Sequence, residues 1–278
     1  MTLYLNMRQG AVGGALVEPY LLSGDGMGPK PALRALDNRA AAELVQGRTV
    51  VFAVHGFNVS YEKGVRSLAK LERAMALPAD HVVMGVLWPG DYWIPAINYP
   101  VEWQDAVRGG QALARYADTV LKGAQGFSFF SHSLGGRLTL EAAAHLRRRL
   151  VRVCLAAPAT DDDCLEQPYA AAVRNAEKLT WLASKKDNVL RIAYRLGDWA
   201  GDLFFGDDDA GGNGALGWHG ARWSGAPAAF GVQIPKAQKF DHGDYFPPSD
   251  VSGAIKSTQA KAIAYARTFL LGGAPSWA

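Results

Sequence analysis

The sequence predicts an α/β fold with a mostly parallel central sheet and helices on both faces. Short apolar runs rich in β-branched residues recur along the chain, and longer segments with apolar residues at every third or fourth position lie between them. Strands that alternate with helices in this way are typical of parallel sheets. With 278 residues, 49% of them hydrophobic, the chain can build one large core, so we expect a single domain over 1–278.

The strands are predicted from apolar runs that end at glycine, proline or polar turns. Residues 3–7 and 15–22, separated by Gly13 and Gly14, form an opening pair, and 49–54 is a β-branched run suited to a buried strand. Further strands are predicted at 82–87, 127–130, 151–156 and 179–183.

The helices are predicted from apolar residues that share one face. Helix 61–75 has Ser60 as its expected N-cap. In helix 102–121 the pair Gly109 and Gly110 weakens the middle of the helix. The remaining helices are predicted at 134–149 and 255–270, and a structured loop rich in proline and aromatic residues at 88–101.

Residues 197–238 break this rhythm. Glycines are dense there and aromatic side chains are interleaved with them. Aromatic residues need a surface to pack on, so this composition does not indicate disorder. We interpret the segment as a large excursion between the last two strands that forms a lid, followed by a short strand before His242.

Charge and cysteine content exclude several classes of partner. The net charge is only +3, and the one tight basic run, Arg147-Arg148-Arg149, falls at a predicted helix end, where cations favour the carbonyl-rich terminus. No nucleic-acid recognition motif accompanies it. Cys154 lies in an apolar run, and neither it nor Cys164 indicates a disulfide framework or metal spacing.

The sequence carries no signal for export or membrane insertion. The N-terminus lacks a basic region followed by an apolar core, and no stretch is long and apolar enough to span a bilayer. We therefore expect a cytoplasmic protein without integral membrane association, metal or cofactor.

The pentapeptide Ser131-His132-Ser133-Leu134-Gly135 is the strongest chemical signal. It follows an apolar strand and precedes a helix, which is the context of a nucleophile elbow, a sharp turn that presents a serine hydroxyl. The pattern departs from G-x-S-x-G because Ser131 stands at the first glycine position. Ser133 is the predicted nucleophile.

A serine nucleophile needs a histidine base and a carboxylate that orients it. After an elbow of this kind, the acid and then the histidine follow along the chain. Of the six histidines, only His219 and His242 come late enough, and His132 is expected to point away from the serine. We favour His242, which lies shortly before the terminal helix, over His219 in the glycine-rich excursion.

For the acid we favour Asp187, which lies in a turn directly after the predicted strand 179–183. The alternative is the run Asp161-Asp162-Asp163 after the preceding strand. A third acidic run, 207–209, reads as a solvated loop, and adjacent carboxylates do not form the spaced ligand set of a calcium site.

Acyl transfer also requires donors to a developing oxyanion. The backbone N–H of Leu134 is one candidate, and the N–H of Phe57, in the turn His55-Gly56-Phe57, is the other. Aromatic side chains either line an apolar acyl pocket or anchor long loops to the core. The candidate pocket residues are Trp88, Tyr92, Trp93 and Trp218.

The chain resembles the α/β-hydrolase superfamily and, within it, the bacterial DUF900-type serine hydrolases. The matching motifs are His55-Gly56-Phe57-Asn58, Trp88-Pro89-Gly90, Ser131-His132-Ser133-Leu134-Gly135-Gly136, Ser184-Lys185-Lys186-Asp187 and Asp241-His242. The resemblance implies that Ser133 is the nucleophile, Asp187 orients the base, and His242 is that base.

These observations predict a serine hydrolase that cleaves a small-molecule carboxylic ester or thioester, with an apolar acyl group, through an acyl-enzyme. An amidase, a peptidase or an acyltransferase could use the same three residues, because leaving-group preference is not encoded in the motif. A binding protein that kept the fold without catalysis is the alternative from another class.

Overall fold

The structure is a computed structural model of the full chain. It describes the backbone of residues 1–12, 14–28, 30–90, 95–195, 214–222 and 229–277, and the side chains of the same ranges except 95–103 and 193–195.

Strands and helices alternate along most of the described chain. The strands are β1 (Thr2–Arg8), β2 (Leu16–Asp25), β3 (Ala32–Leu36), β4 (Thr49–Val54), β5 (His81–Leu87), β6 (Gly126–His132), β7 (Leu150–Ala156), β8 (Ala176–Ser184) and β9 (Ala229–Ile234). The helices are α1 (Asn38–Val45), α2 (Tyr61–Met75), α3 (Pro95–Thr119), α4 (Gly135–His145), α5 (Ala170–Asn175), α6 (Asn188–Arg195), α7 (Leu216–His219) and α8 (Ser257–Leu270), with a 3-10 turn at Lys236–Gln238.

The described strands form one sheet in the order β3-β2-β1-β5-β4-β6-β7-β8-β9. The pairs β1–β2 and β2–β3 are antiparallel, and every pairing from β1–β5 to β8–β9 is parallel. The predicted mostly parallel sheet is therefore confirmed. Its central strands β4 and β6 are buried almost throughout because both faces are covered by helices.

Two apolar clusters cover the two faces of the sheet. On one face, Phe52, Phe127 and Phe129 pack with apolar residues of α1, α3 and α4. On the other face, Phe130 packs with residues of α2 and α8 and with Phe246 from the segment before α8. The core therefore continues to the edge of the sheet from which residues 240–246 emerge.

Several predicted boundaries differ from the structure. Helix α3 begins at Pro95, so the prediction of a loop over 88–101 is wrong for its second half. Proline at the first position of a helix loses no hydrogen bond, because that N–H has no helical acceptor. Helix α4 ends at His145 rather than at residue 149.

The basic run therefore lies beyond α4 and serves other carbonyl groups. The Arg148 guanidinium donates to the carbonyl oxygens of Lys122 and Ala124, after the end of α3, and lies over the ring of Phe127. The prediction that these cations stabilise the end of their own helix is thus wrong for Arg148.

The excursion before His242 is shorter than predicted, because β9 lies inside 197–238 and pairs in parallel with β8. Gly231 in this strand weakens the strand pattern in the sequence. Glycine is required there because a Cβ would overlap the indole of Trp181. Helix α7 also lies inside the excursion and packs against β8. The predicted lid at 197–213 and 223–228 lies outside the described residues.

The pair Gly109 and Gly110 lets α3 lie close to α4. A Cβ at Gly110 would lie 2.6 Å from the carbonyl oxygen of Leu138 and 2.7 Å from Cβ of Glu141. A Cβ at Gly109 would lie 3.2 Å from a terminal carbon of Leu138, which can move. The low helix propensity of Gly110 is thus offset by close packing against the helix that follows the elbow.

We expect Gly110→Ala to lower the free energy of unfolding by about 1–3 kcal/mol, because the added methyl group overlaps backbone of α4. Gly109→Ala is the matched control and should change it by less than about 1 kcal/mol, since alanine also raises helix propensity. Urea unfolding measures both. Equal stability of the two variants would contradict this account of the α3–α4 contact.

Candidate active site

The candidate site lies where parallel strands end together. Strands β4, β6 and β8 run in the same direction, so the turns that follow them meet at one edge of the sheet. These turns carry Phe57, Ser133 and Asp187, and the segment after β9 brings His242 to the same edge.

Ser133 occupies a strained turn between β6 and α4. Its backbone is left-handed, with φ of 54°, a conformation that costs about 1–3 kcal/mol for a residue other than glycine. Its N–H donates to the carbonyl oxygen of Ala156 at 3.0 Å, and its carbonyl accepts from the N–H of Gly136 at 2.8 Å and of Ala159 at 3.2 Å. The turn therefore holds the serine by its backbone and leaves the hydroxyl for other contacts.

Small residues around the turn are required by close backbone approach. A Cβ at Gly135 would overlap the carbonyl oxygen of His55, and a Cβ at Gly56 would lie 2.8 Å from Cβ of Ser133. Ser131, which replaces the first glycine of the motif, is fully buried within β6, opposite Val54 and Leu155 of the neighbouring strands. The sheet therefore accommodates a serine side chain at this position.

Ser133, His242 and Asp187 form a continuous series of contacts. His242 Nε2 lies 2.8 Å from Oγ of Ser133, and His242 Nδ1 lies 2.7 Å from Oδ2 of Asp187. Since a carboxylate only accepts, Nδ1–H donates to Asp187, and Nε2 is left to accept from the serine hydroxyl. The carboxylate of Asp187 is fully buried, and its second oxygen accepts from the N–H of Leu190.

The segment that carries His242 is attached at both ends. Ser184 Oγ, at the end of β8, donates to the carbonyl oxygen of Phe240 at 2.7 Å, and the N–H of Asn188 donates to Oδ1 of Asp241 at 2.9 Å. Gln259, in the first turn of α8, donates from its side-chain amide to the carbonyl oxygen of Gly243 at 3.0 Å. These bonds fix the backbone on both sides of the histidine.

The competing candidates are engaged elsewhere. Asp162 accepts from the N–H of Gly214 at 3.0 Å and pairs with Arg222 at 3.0 Å, and Asp161 lies 3.9 Å from the guanidinium of Arg137. His219 ends α7, where its ring stacks on the indole of the preceding Trp218 at 3.9 Å. The structure thus brings Asp187, rather than these acids, to His242.

The turn that carries Phe57 is supported from below by Trp88. The indole N–H of Trp88 donates to the carbonyl oxygen of His55 at 2.9 Å, and the indole stacks on the His55 ring at 5.7 Å. Trp88 is fully buried in the core. The prediction that Trp88 lines a substrate pocket is therefore wrong, since it has no exposed surface and acts as a support for this turn.

Arg8 is a second support that sequence reasoning missed. This buried arginine at the end of β1 donates to the carbonyl oxygens of Val59 at 3.1 Å and Ala11 at 3.0 Å, and more weakly to that of Trp88 at 3.5 Å. It joins the ends of β1 and β5 to the turn after β4. A lone arginine in a strand carries no sequence signal for this role, because its acceptors come from separate segments.

Of the other predicted pocket residues, Tyr92 and Trp93 lie outside the described residues. Trp218 is partly buried on α7, and its indole N–H points to the carbonyl oxygen of Lys185 at 3.4 Å. A cavity of about 460 Å³ lies next to the turn after β4 instead. Its walls include Gly56, Val59, His132, Phe246 and Pro247.

The His132 side chain lies against His242. Its Nε2 lies 2.8 Å from the carbonyl oxygen of His242, and the two rings lie 4.7 Å apart. Burial and the neighbouring His242 lower the pKa of His132 to about 3. These contacts do not contradict the prediction that this side chain points away from the serine, since they join it to His242 and not to Ser133; what sequence reasoning missed is its contact with His242.

Within the described residues, no three His, Cys, Asp or Glu side chains form a group that could hold a metal ion. No helix in the described ranges has the length and apolar character needed to cross a membrane.

Comparison with known proteins identifies the family. Residues 36–202, more than half of the chain, match the family described as "Alpha/beta hydrolase of unknown function (DUF900)". The chain belongs to this DUF900 family. The resemblance expected from the motifs is thereby confirmed, and so is the fold class. The matched stretch contains Ser133 and Asp187, whereas His242 lies beyond its end.

Solved structures with a similar fold include several esterases. The Pyrobaculum calidifontis esterase is 14% identical, with 94% of this chain and 81% of that chain covered and a TM-score of 0.46. Carboxyl esterase 2 from the fungus Tuber melanosporum is 13% identical, with coverages of 96% and 90% and a TM-score of 0.45. Esterase B from Lactobacillus rhamnosis is 10% identical, with coverages of 81% and 76% and a TM-score of 0.43. No curated protein shows a significant sequence match.

The burial of His55 predicts that the stability of this DUF900 family member depends on pH. Its side chain is 2% exposed, its Nδ1–H donates to the carbonyl oxygen of Gly56 at 2.8 Å, and burial lowers its pKa from 6.5 to about 3. The unfolded chain binds a proton at His55 below about pH 6.5, and the folded chain does not. The stability that His55 contributes is therefore present above pH 6.5 and is lost as the pH falls from there toward 3.

We expect the free energy of unfolding to fall below pH 6.5, with His55 accounting for about 1.4 kcal/mol per pH unit at most. His55→Gln removes the titrating group, so its stability should depend less steeply on pH between 6.5 and 4. Urea unfolding at several pH values measures the slopes. His145→Gln, which changes a half-exposed histidine on α4, is the control. A slope in His55→Gln equal to that of wild type would refute this assignment.

Proposed function

We propose that the chain is a serine hydrolase that cleaves a carboxylic ester or thioester through an acyl-enzyme on Ser133. The observation that carries this proposal is the unbroken series of contacts from Asp187 through His242 to Oγ of Ser133, at 2.7 Å and 2.8 Å. A nucleophile, a base and a group that orients the base are the arrangement that covalent acyl transfer requires.

In the first half of the reaction, His242 Nε2 takes the proton of the Ser133 hydroxyl, and Oγ forms a bond to the carbonyl carbon of the substrate. The carbonyl π electrons move to oxygen and give a tetrahedral oxyanion. When the carbonyl re-forms, the bond to the leaving group breaks, and the alkoxide or thiolate takes the proton from His242. In the second half, water is the nucleophile: His242 takes its proton, and its oxygen bonds to the acyl carbon. The bond from that carbon to Ser133 Oγ then breaks, Oγ takes the proton from His242, and the acid is released.

The buried Asp187 keeps His242 in the tautomer that can accept a proton at Nε2. It also stabilises the imidazolium that forms when the proton is transferred. Because the Asp187 carboxylate is out of contact with solvent, its interaction with this charge is weakly screened.

The proposed oxyanion donors are the backbone N–H groups of Leu134 and Phe57. Leu134 directly follows Ser133 and is the N-cap residue of α4, so its N–H belongs to the positive end of that helix. Phe57 follows Gly56, whose missing Cβ allows its turn to approach Ser133. Trp88 and Arg8 hold this turn in place.

The apolar side of the cavity next to Gly56 supports a substrate with an apolar portion. Val59, Phe246, Pro247 and Pro248 line it, with Lys63 and Lys256 among its polar lining residues. Gly56, whose turn approaches Ser133, and His132, which precedes Ser133, also line this cavity.

Labelling with a fluorophosphonate probe tests the nucleophile. We expect wild type to label with one probe per chain and Ser133→Ala not to label, since the probe traps a serine activated by a base. Ser131→Ala is the matched control, two residues earlier near the end of β6, and should label like wild type. Wild type that fails to label beside a reactive esterase would favour the non-catalytic alternative, and labelling of Ser133→Ala would place the nucleophile elsewhere.

The role of Asp187 has a separate test. Asp187→Asn should lower kcat for a p-nitrophenyl ester by about 10⁴-fold, because the amide favours the wrong tautomer of His242. Circular dichroism should show an unchanged fold. Asp161→Asn is the control and should keep kcat within about twofold. If Asp187→Asn turns over at the wild-type rate, the acid is a different residue.

A further inference from the structure

We propose that His132 is a positioning residue for the base, which it holds at the right distance from Ser133 through the main chain of His242. This inference rests on the proposed function, because it assigns His132 a task in the proton transfer between Ser133 and His242. It concerns the residue directly before the nucleophile, which the reaction itself does not use.

The hydrogen bond between the two histidines has one direction. The carbonyl oxygen of His242 can only accept, so Nε2 of His132, 2.8 Å away, carries the proton and donates it. In the neutral ring Nδ1 then has no proton. His132 is therefore held in the tautomer opposite to that of His242, whose Nδ1–H faces Asp187.

Aromatic contacts prevent the His132 ring from turning away. It stacks on the ring of Phe246 with centroids 5.5 Å apart, and it contacts the rings of His242 at 4.7 Å and Tyr245 at 5.9 Å. On its other edge a Cβ at Gly56 would lie 3.1 Å from Nδ1. The ring thus lies between the segment 242–246 and the turn that carries Phe57.

The bond joins the elbow directly to the main chain of the base. The hydrogen bonds described above for residues 240–243 come from β8, α6 and α8. His132 adds a bond from the elbow itself, one residue from Ser133. Movement of the His242 backbone relative to the elbow would change the distance from Nε2 to Oγ, and this bond opposes such movement.

The neutral state of His132 suits this position. The titratable groups around the ring are His242, His55 and Tyr245, and burial together with His242 lowers the pKa of His132 to about 3. The ring is therefore uncharged at neutral pH, when His242 becomes an imidazolium during the reaction. A charged neighbour 4.7 Å away would oppose that charge.

The experiment compares two variants. His132→Phe keeps a flat ring but has no donor. His132→Gln keeps a donor, because its amide nitrogen is separated from Cβ by the same number of bonds as Nε2 of histidine. We expect His132→Phe to lower kcat by up to about 100-fold with KM within about twofold, because misplacement by about 1 Å has that effect. His132→Gln should recover most of the loss. His145→Phe, on the far end of α4, is the matched control with wild-type kcat.

Active sites are counted by fluorophosphonate titration, so a partly unfolded variant does not lower the measured kcat per active site. Wild-type kcat in His132→Phe would overturn the proposal, and so would equal losses in His132→Phe and His132→Gln, which would show that a donor at this position does not restore the rate. Labelling of wild type but not of Ser133→Ala supports the proposed function whatever the His132 variants show. Failure of the His132 proposal is therefore distinguishable from failure of the proposed function.

A spectroscopic measurement tests the same bond without substitution. Nitrogen-15 spectra of the imidazole rings should show His132 protonated at Nε2 and bare at Nδ1 throughout pH 5–9, with the signal assigned by its loss in His132→Gln. A proton at Nδ1 with a bare Nε2 would overturn the proposal, because Nε2 could then not donate to His242.

Discussion

Ser133 takes a left-handed backbone conformation at the end of β6, and the other parts of the site are arranged around that turn. Neighbouring residues must be small there, so Gly56 and Gly135 allow backbone to lie close to the serine. The N–H of Ser133 donates to Ala156 at the end of β7, and its carbonyl accepts from Gly136 in α4 and from Ala159 after β7. The strain of the turn is thus balanced by hydrogen bonds, and the hydroxyl remains directed toward His242.

The parallel sheet supplies the remaining groups, because the carboxyl ends of its strands meet at one edge. Strand β8 delivers the buried Asp187, and the chain after β9 delivers His242. Buried supports hold these turns at fixed distances: Trp88 and Arg8 under the turn after β4, and Ser184 and Gln259 on either side of His242. The geometry of the site therefore depends on these residues as well as on Ser133, His242 and Asp187.

Much of this arrangement was predictable because it depends on local pattern. The bounds of β4 and α2 agree with prediction to the residue, since a continuous β-branched run marks the strand and apolar periodicity marks the helix. By contrast, β3 was missed because it is a short edge strand with little burial, and α1 and α5 are too short to show a clear period. Strand β9 was only partly predicted from the sequence. Its Gly231 is required by contact with the Trp181 indole on the neighbouring strand, and a glycine does not indicate a strand.

The candidate site shows the same division between local and distant information. The order of Ser133, Asp187 and His242 along the chain indicated which side chains to expect together. The roles of Arg8 and His132 could not be read from sequence, because their partners lie in distant segments: His132 bonds to a residue 110 positions later. Burial of a polar residue by such contacts becomes visible only once the fold is known.

The most direct test of the account is to find where the acyl group resides during turnover. The enzyme is mixed with a p-nitrophenyl ester, quenched in acid within the first turnovers, digested, and analysed by peptide mass spectrometry. We expect one acyl group per chain, on Ser133, and none in Ser133→Ala. An acyl group on another residue, or turnover by Ser133→Ala at the wild-type rate, would contradict the claim that Ser133 is the nucleophile.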